Sequence, residues 1–125
     1  MKKPIMVCDD EEGVREALKL ILEKDYDVIF AESGSAAIEK MRASPVDLVI
    51  LDIKMPHKDG LETMRALKRI NPAAKVIIAT GYRSVDTAQE AMKLGAVDYI
   101  TKPFDRRQIM ATVQKITETS QLSEK

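Results

Sequence analysis

Five short runs rich in valine and isoleucine alternate along this chain with five longer amphipathic runs, and that alternation leaves few ways to fold. The apolar runs predict strands over residues 4–8, 27–31, 47–51, 75–79 and 98–101. They are short and mostly lack a polar alternate, as strands covered on both faces do. The stretches between them repeat apolar residues every three to four positions, which is the helical period. The first, over residues 12–23, sets Val14, Ala17, Leu18, Ile21 and Leu22 on one side, and the second, over 35–43, does so with Ala37, Ile38 and Met41. The third opens on a capping-box pattern, Asp59-Gly60-Leu61-Glu62, carries Leu61, Met64, Leu67 and Ile70 inward, and stops before Pro72.

The fourth helix, over residues 84–94, has Ser84 or Asp86 as its cap and Gly95 as a left-handed stop. Its inward face of Val85, Ala88, Ala91 and Met92 is thin. The fifth opens on a second capping box, Asp105-Arg106-Arg107-Gln108, and carries Ile109, Val113 and Ile116. Strict alternation of strand and helix implies right-handed crossovers and a parallel sheet with helices on both faces. The expected fold is therefore an α/β, flavodoxin-like, doubly wound domain over residues 1–117. Residues 118–125 are polar and read as a disordered tail or the start of a linker.

A chain of 125 residues suits one domain with one sizeable core. Its 20 acidic and 20 basic residues balance, so no field of one sign draws it to nucleic acid or to an anionic membrane. No apolar run approaches the length of a membrane span. The single cysteine, Cys8, excludes an internal disulfide and makes a poor zinc site alone, which suits a reducing cytoplasm. Cys8 reads as a small strand residue, and Met41, Met64 and Met92 read as core.

The chemistry lies at the strand ends. Asp9 and Asp10 follow the first strand, Asp52 follows the third and Lys102 follows the fifth. In open parallel sheets the carboxyl ends of the strands form the ligand-binding edge, so residues remote in sequence meet there. Two carboxylates about 4 to 5 Å apart repel by a few kcal/mol at an effective dielectric of ~20, and a third adds to this. A divalent cation removes the conflict, and an all-oxygen site with room for water suits Mg²⁺ better than zinc. Taken singly, Asp9-Asp10 fits a helix cap, Asp52 a turn, Lys102 the surface and Thr80 a strand end.

Taken together with the stretch Asp52-Ile53-Lys54-Met55-Pro56-His57-Lys58-Asp59-Gly60, with Thr80-Gly81, Gly95-Ala96, Tyr99 and Lys102-Pro103-Phe104, these residues resemble the receiver domain of two-component response regulators, over residues 4 to about 117. The resemblance implies strand order 2-1-3-4-5. It further implies that Asp52 is phosphorylated from the phosphohistidine of a sensor histidine kinase. By the same resemblance Asp10 would bind Mg²⁺ directly and Asp9 largely through a metal-bound water, with the Lys54 carbonyl and Asp52 as the further protein ligands. Lys102 and the Thr80 hydroxyl contact the phosphoryl oxygens, and the Lys102-Pro103 bond is cis. Thr80 and Tyr99 form the switch that carries the change to the face of the fourth helix, fifth strand and fifth helix, which serves an output domain, a downstream protein or a homodimer. Lys54 and Tyr82 flank the path of the water that removes the phosphoryl group.

The stretch from Thr80 to Phe104 is similar to receivers attached to sigma-54-dependent transcription activators. His57, the only histidine, falls in the loop after Asp52 and reads as solvent-exposed. A phosphotransferase of the haloacid-dehalogenase type also uses an aspartate nucleophile and Mg²⁺, but needs an acid where this chain has Lys54. No Walker-A loop is present, which removes an ATPase reading. A docking receiver that ignores phosphorylation has no use for the full set of acids, hydroxyl and lysine. The expectation is a signalling switch with limited self-catalysed chemistry, and not an enzyme in the ordinary sense.

Overall fold

Parallel pairing accounts for every one of the five apolar runs. The structure, a computed structural model, describes residues 2–52, 60–81, 85–102 and 104–123, with the side chains of residues 80, 85–88 and 118–123 outside that description. The strands are β1 (Lys3–Cys8), β2 (Tyr26–Ala31), β3 (Leu48–Asp52), β4 (Lys75–Thr80) and β5 (Asp98–Thr101). They form one sheet in the order β2-β1-β3-β4-β5, all pairs parallel. This is the expected doubly wound order. Register runs Cys8 to Ala31 and Leu51, and Asp52 to Ala79. Asp52 is thus the last residue of β3 and not the first after it, because its backbone still pairs with β4.

The helices are α1 (Glu12–Leu22), α2 (Gly34–Ala43), α3 (Gly60–Ile70), α4 (Val85–Lys93) and α5 (Arg106–Ser123). Strand side chains alternate between two cores, as the pleat requires. Ile5, Val7, Leu48, Ile50, Ile77 and Ile100 meet α1 and α5 through Leu18, Leu22, Ile109 and Val113. Met6, Cys8, Val49, Leu51, Val76 and Ile78 meet α2 and α3 through Ala37, Met41, Met64 and Leu67. Every residue of β3 is buried, since the central strand is covered on both faces and both edges. Each large aliphatic side chain buried in this way stabilises the fold by about 1.5–3 kcal/mol.

Local signals set the helix ends. Ser33, one residue before α2, accepts a hydrogen bond on its side chain from the Ala36 amide at 3.0 Å, so this helix starts slightly earlier than its apolar period suggests. Asp105 accepts from the Arg107 amide at 2.9 Å, one residue short of the Gln108 amide that a capping box uses, so it caps α5 through the second helical amide instead. At the end of α4 the Gly95 amide donates to the Met92 carbonyl and the Ala96 amide to that of Ala91, a Schellman pair that turns on Gly95 at φ 115°. The caps predicted at Asp59 and Ser84 lie outside the described residues. α5 continues to Ser123, past Thr117 where its apolar period ends. At that boundary the Thr117 hydroxyl donates to the Val113 carbonyl and the Tyr26 hydroxyl donates to Thr117, tying β2 to α5.

Two expected core residues face outward. Ala17 is exposed, which narrows the buried stripe of α1. Met92 is 38% exposed in the last turn of α4, where β5 ends the sheet and no further strand covers it.

The two glycines Gly13 and Gly95 should respond oppositely to alanine. A Cβ at Gly13 meets nothing within 4 Å and its backbone is helical, so Gly13→Ala should stabilise the fold by about 0.5–1 kcal/mol. Gly95 is held at positive φ, so Gly95→Ala should cost about 1–2 kcal/mol. Urea unfolding of the two variants checks both signs.

Candidate functional site

Three strand ends meet where β1, β3 and β5 stop at one edge of the sheet. Ligand oxygens of Asp9, Asp10 and Asp52 all lie within 4.8 Å of one another. Asp9 and Asp52 are buried, at 1% and 3% exposure, while Asp10 faces solvent. Lys102, at the end of β5, places its Nζ 3.1 Å from Asp9 Oδ2 and 3.2 Å from Asp52 Oδ2. All four residues singled out at the strand ends are therefore brought together, across up to 93 positions of sequence.

The Asp9-Asp10 pair does more than begin a helix. α1 starts at Glu12, and its cap position, Glu11, makes no side-chain cap bond. Asp9 Oδ1 does accept the Glu11 amide at 2.9 Å, but its other oxygen belongs to Lys102. A pure capping role leaves that second bond unexplained.

The electrostatics are uneven. Burial pushes the Asp9 carboxyl above its ordinary value, and the charge of Asp52 adds to this against the Glu11 amide and Lys102. For Lys102, burial works against the charge but Asp52 and Asp9 outweigh it, so the ammonium is held above the ordinary lysine value. Its contribution to stability is present below that ordinary value and is lost as pH climbs through the raised one. Among the described residues one ammonium faces three carboxylates, an excess of two negative charges that a divalent cation matches. The donor set is hard oxygen, and it fits Mg²⁺ better than a soft metal.

Thr80 ends β4 with Thr101 as its register partner, two residues beyond Ile78, which pairs with Tyr99. Tyr99 is 44% exposed on the edge strand. Lys54, His57, Tyr82 and the Lys102-Pro103 bond lie outside the described residues, as does the Thr80 side chain. One contact has no counterpart in the sequence pattern: Arg15 Nη1 donates to the Asp9 carbonyl at 2.9 Å. Its only signal there is a lone cation among Glu11, Glu12 and Glu16.

Cys8 sits directly before the cluster, buried, with its thiol donating to the Ser33 carbonyl at 3.4 Å. Burial, reinforced by the charges of Asp9, Asp52 and Asp10, pushes its pKa up to about 12. At pH 8 an ordinary thiol is ionised to roughly a tenth, whereas this one is almost wholly protonated. Iodoacetamide at pH 8 should therefore modify the native protein more than about a hundredfold slower than the urea-unfolded chain. Mass spectrometry over a time course measures the ratio.

Comparison with known proteins places this geometry. Residues 5–114 match the model of the response regulator receiver domain family. The chain is 42% identical over 112 residues to the transcriptional regulatory protein ZraR of Escherichia coli (strain K12), covering 89% of this chain and 25% of ZraR. It is 36% identical over 116 residues to the sporulation initiation phosphotransferase F of Bacillus subtilis (strain 168), covering 92% of this chain and 94% of that protein. The crystal structure of NtrX from Brucella abortus superposes with a TM-score of 0.93 at 29% identity, over 99% of this chain and 28% of NtrX. The chain thus spans about a quarter of the length of ZraR and of NtrX, and nearly all of the sporulation protein. With a family match over almost its whole length and the same order of strands, this chain belongs to the response regulator receiver domains of two-component signalling.

Proposed function

We propose that Asp52 is the phosphoacceptor of this domain, taking its phosphoryl group from the phosphohistidine of a sensor histidine kinase. The observation that carries the reading is the meeting of Asp9, Asp10, Asp52 and Lys102 at one point of the sheet edge. In the transfer an Asp52 oxygen attacks phosphorus, the P–N bond breaks, and its electrons return to the imidazole nitrogen, which takes up a proton. An acyl phosphate remains on Asp52. A carboxylate is a weak nucleophile, so catalysis rests on positioning and on charge neutralisation.

Asp9, Asp10, Asp52 and the Lys54 carbonyl are the residues that would hold Mg²⁺. When bound, the ion supplies positive charge for the phosphoryl oxygens that Lys102 alone does not supply. Lys102 adds a point charge from β5, reoriented from its carboxylate partners onto the new oxygens. The Thr80 hydroxyl donates to one of them.

The consequence of phosphorylation is then a change on the α4, β5 and α5 face. Thr80 drawn toward the phosphoryl group leaves space for the Tyr99 ring, now 44% exposed, to turn inward while its hydroxyl finds a new partner. Phosphorylation biases the two arrangements by the difference in its interaction with each, and by no more. That face serves an output domain, a downstream protein or a second copy of the chain, with Lys93, Asp98, Arg106 and Arg107 as ion-pair partners in a two-fold dimer. The similarity to ZraR favours control of transcription, and a cytoplasmic site of action follows from a kinase partner of that kind. Among the described residues no helix is long and apolar enough to cross a membrane.

Acetyl phosphate with Mg²⁺ should add one phosphoryl group to the protein, and Asp52→Asn should lose essentially all of that incorporation. Intact-mass spectrometry reads both, and undiminished labelling of the variant would overturn the assignment. Thr80→Ala should still accept the phosphoryl group at Asp52 but lose most of the chemical-shift change on the α4, β5 and α5 face. An NMR spectrum of phosphorylated Thr80→Ala showing the full change would remove threonine coupling from the mechanism.

A further inference from the structure

Four atoms of Asp9 are held at once. Its amide donates to the Ala31 carbonyl at 3.0 Å, Oδ1 accepts the Glu11 amide at 2.9 Å, and Oδ2 accepts Lys102 at 3.1 Å. The fourth hold comes from another element: the half-buried guanidinium of Arg15, in the first turn of α1, donates to the Asp9 carbonyl at 2.9 Å. The other end of the same turn is held by the helix itself, whose first backbone bond runs from the amide of residue 15 to the Glu11 carbonyl at 3.1 Å. Between those two grips lies Asp10, the exposed carboxylate of the cluster.

The physical need for such a clamp follows from charge. Three carboxylates with ligand atoms inside 4.8 Å repel, and the exposed one can relieve the repulsion by swinging into water. Asp9 and Asp52 are restrained by burial and by Lys102, whereas the exposed Asp10, among the described residues, is restrained by the path of its backbone. That path is fixed at Glu11 by the helix backbone and at Asp9 by bonds that include the one from the Arg15 guanidinium. A guanidinium stays charged at any ordinary pH, so the bond to the carbonyl is charge-assisted and constant.

We propose that Arg15 is a positioning residue for the cation site: by donating from its guanidinium to the Asp9 carbonyl it keeps the turn that carries Asp10 in the geometry at which three carboxylates share one metal ion. The inference rests on the reading of this cluster as a Mg²⁺ site. Outer partners of metal ligands, when removed, typically lower metal affinity 10- to 100-fold. Among the described residues Arg15 touches no carboxylate oxygen, so its effect is on affinity and not on the transfer itself.

The test titrates the 125-residue chain with Mg²⁺, following heat by calorimetry and, separately, the thermal melt. Arg15→Ala should bind Mg²⁺ about tenfold more weakly. Arg15→Lys, whose ammonium can still donate to the carbonyl, should recover most of that loss. Lys19→Ala, an exposed change on the same helix, should bind as wild type does. At saturating Mg²⁺, Arg15→Ala should reach the wild-type extent of labelling by acetyl phosphate. Wild-type Mg²⁺ affinity in Arg15→Ala would overturn the proposal, as would a lowered metal-free melting temperature with affinity unchanged. Should Arg15→Ala not fold, Arg15→Gln, a good helix former of shorter reach, should show the same weakening, and wild-type affinity in it would equally overturn the proposal. Asp10→Ala separates the two levels. If it too binds Mg²⁺ normally, the metal site itself is misread, whereas loss in Asp10→Ala alone removes only the role of Arg15.

Discussion

Parallel strand pairing is the constraint from which the rest of this structure follows. Because β1 to β5 all run the same way, their carboxyl ends share one edge, and Asp9, Asp52 and Lys102 arrive there from three strands without any loop having to carry them. Residues on strands are also more rigidly placed than residues on loops. Asp52 is the extreme case, as the last residue of a wholly buried strand still in register with Ala79. The nucleophile proposed here is fixed by backbone bonds and by the packing of Ile50 and Leu51 just before it.

That edge is built at an electrostatic cost. Burying carboxylates is unfavourable unless they are paired, and here Lys102 is shared between two of them while the third stands in water. Lys102, bridging the two buried acids, offsets part of their repulsion. The arrangement is still left with excess negative charge, so it gains from any cation and then from a phosphoryl group neutralised by that cation. A site that is paired but underneutralised is what a switch responsive to a small ligand needs.

The two sides of the sheet are unequally finished. α1, α2, α3 and α5 each bury two or more large side chains, whereas α4 contributes only Ala91 among the described residues. β5 is the shortest strand and stands at the edge, with its Tyr99 and, on α4, Met92 partly exposed. On the reading proposed above, this partly exposed edge is where a change at Thr80 and Tyr99 would reach a partner.

The sequence by itself determined the elements and the chemistry of the edge. Period-two and period-3.6 patterns are properties of neighbouring residues, so the strands, the stop at Gly95 and the cap at Asp105 were legible without coordinates. The convergence of Asp9, Asp10, Asp52 and Lys102 was legible too, because strict alternation of strand and helix dictates a parallel sheet. Only the tertiary structure decided what depends on distance between elements. It put Lys102 midway between two acids, turned Ala17 and Met92 outward, carried α5 on to Ser123, and set Arg15 on the carbonyl of Asp9. A side chain bonded to a backbone carbonyl six residues away leaves no mark on residue pattern, since every residue presents the same carbonyl. The angle at which a helix leaves its strand selects which one it meets.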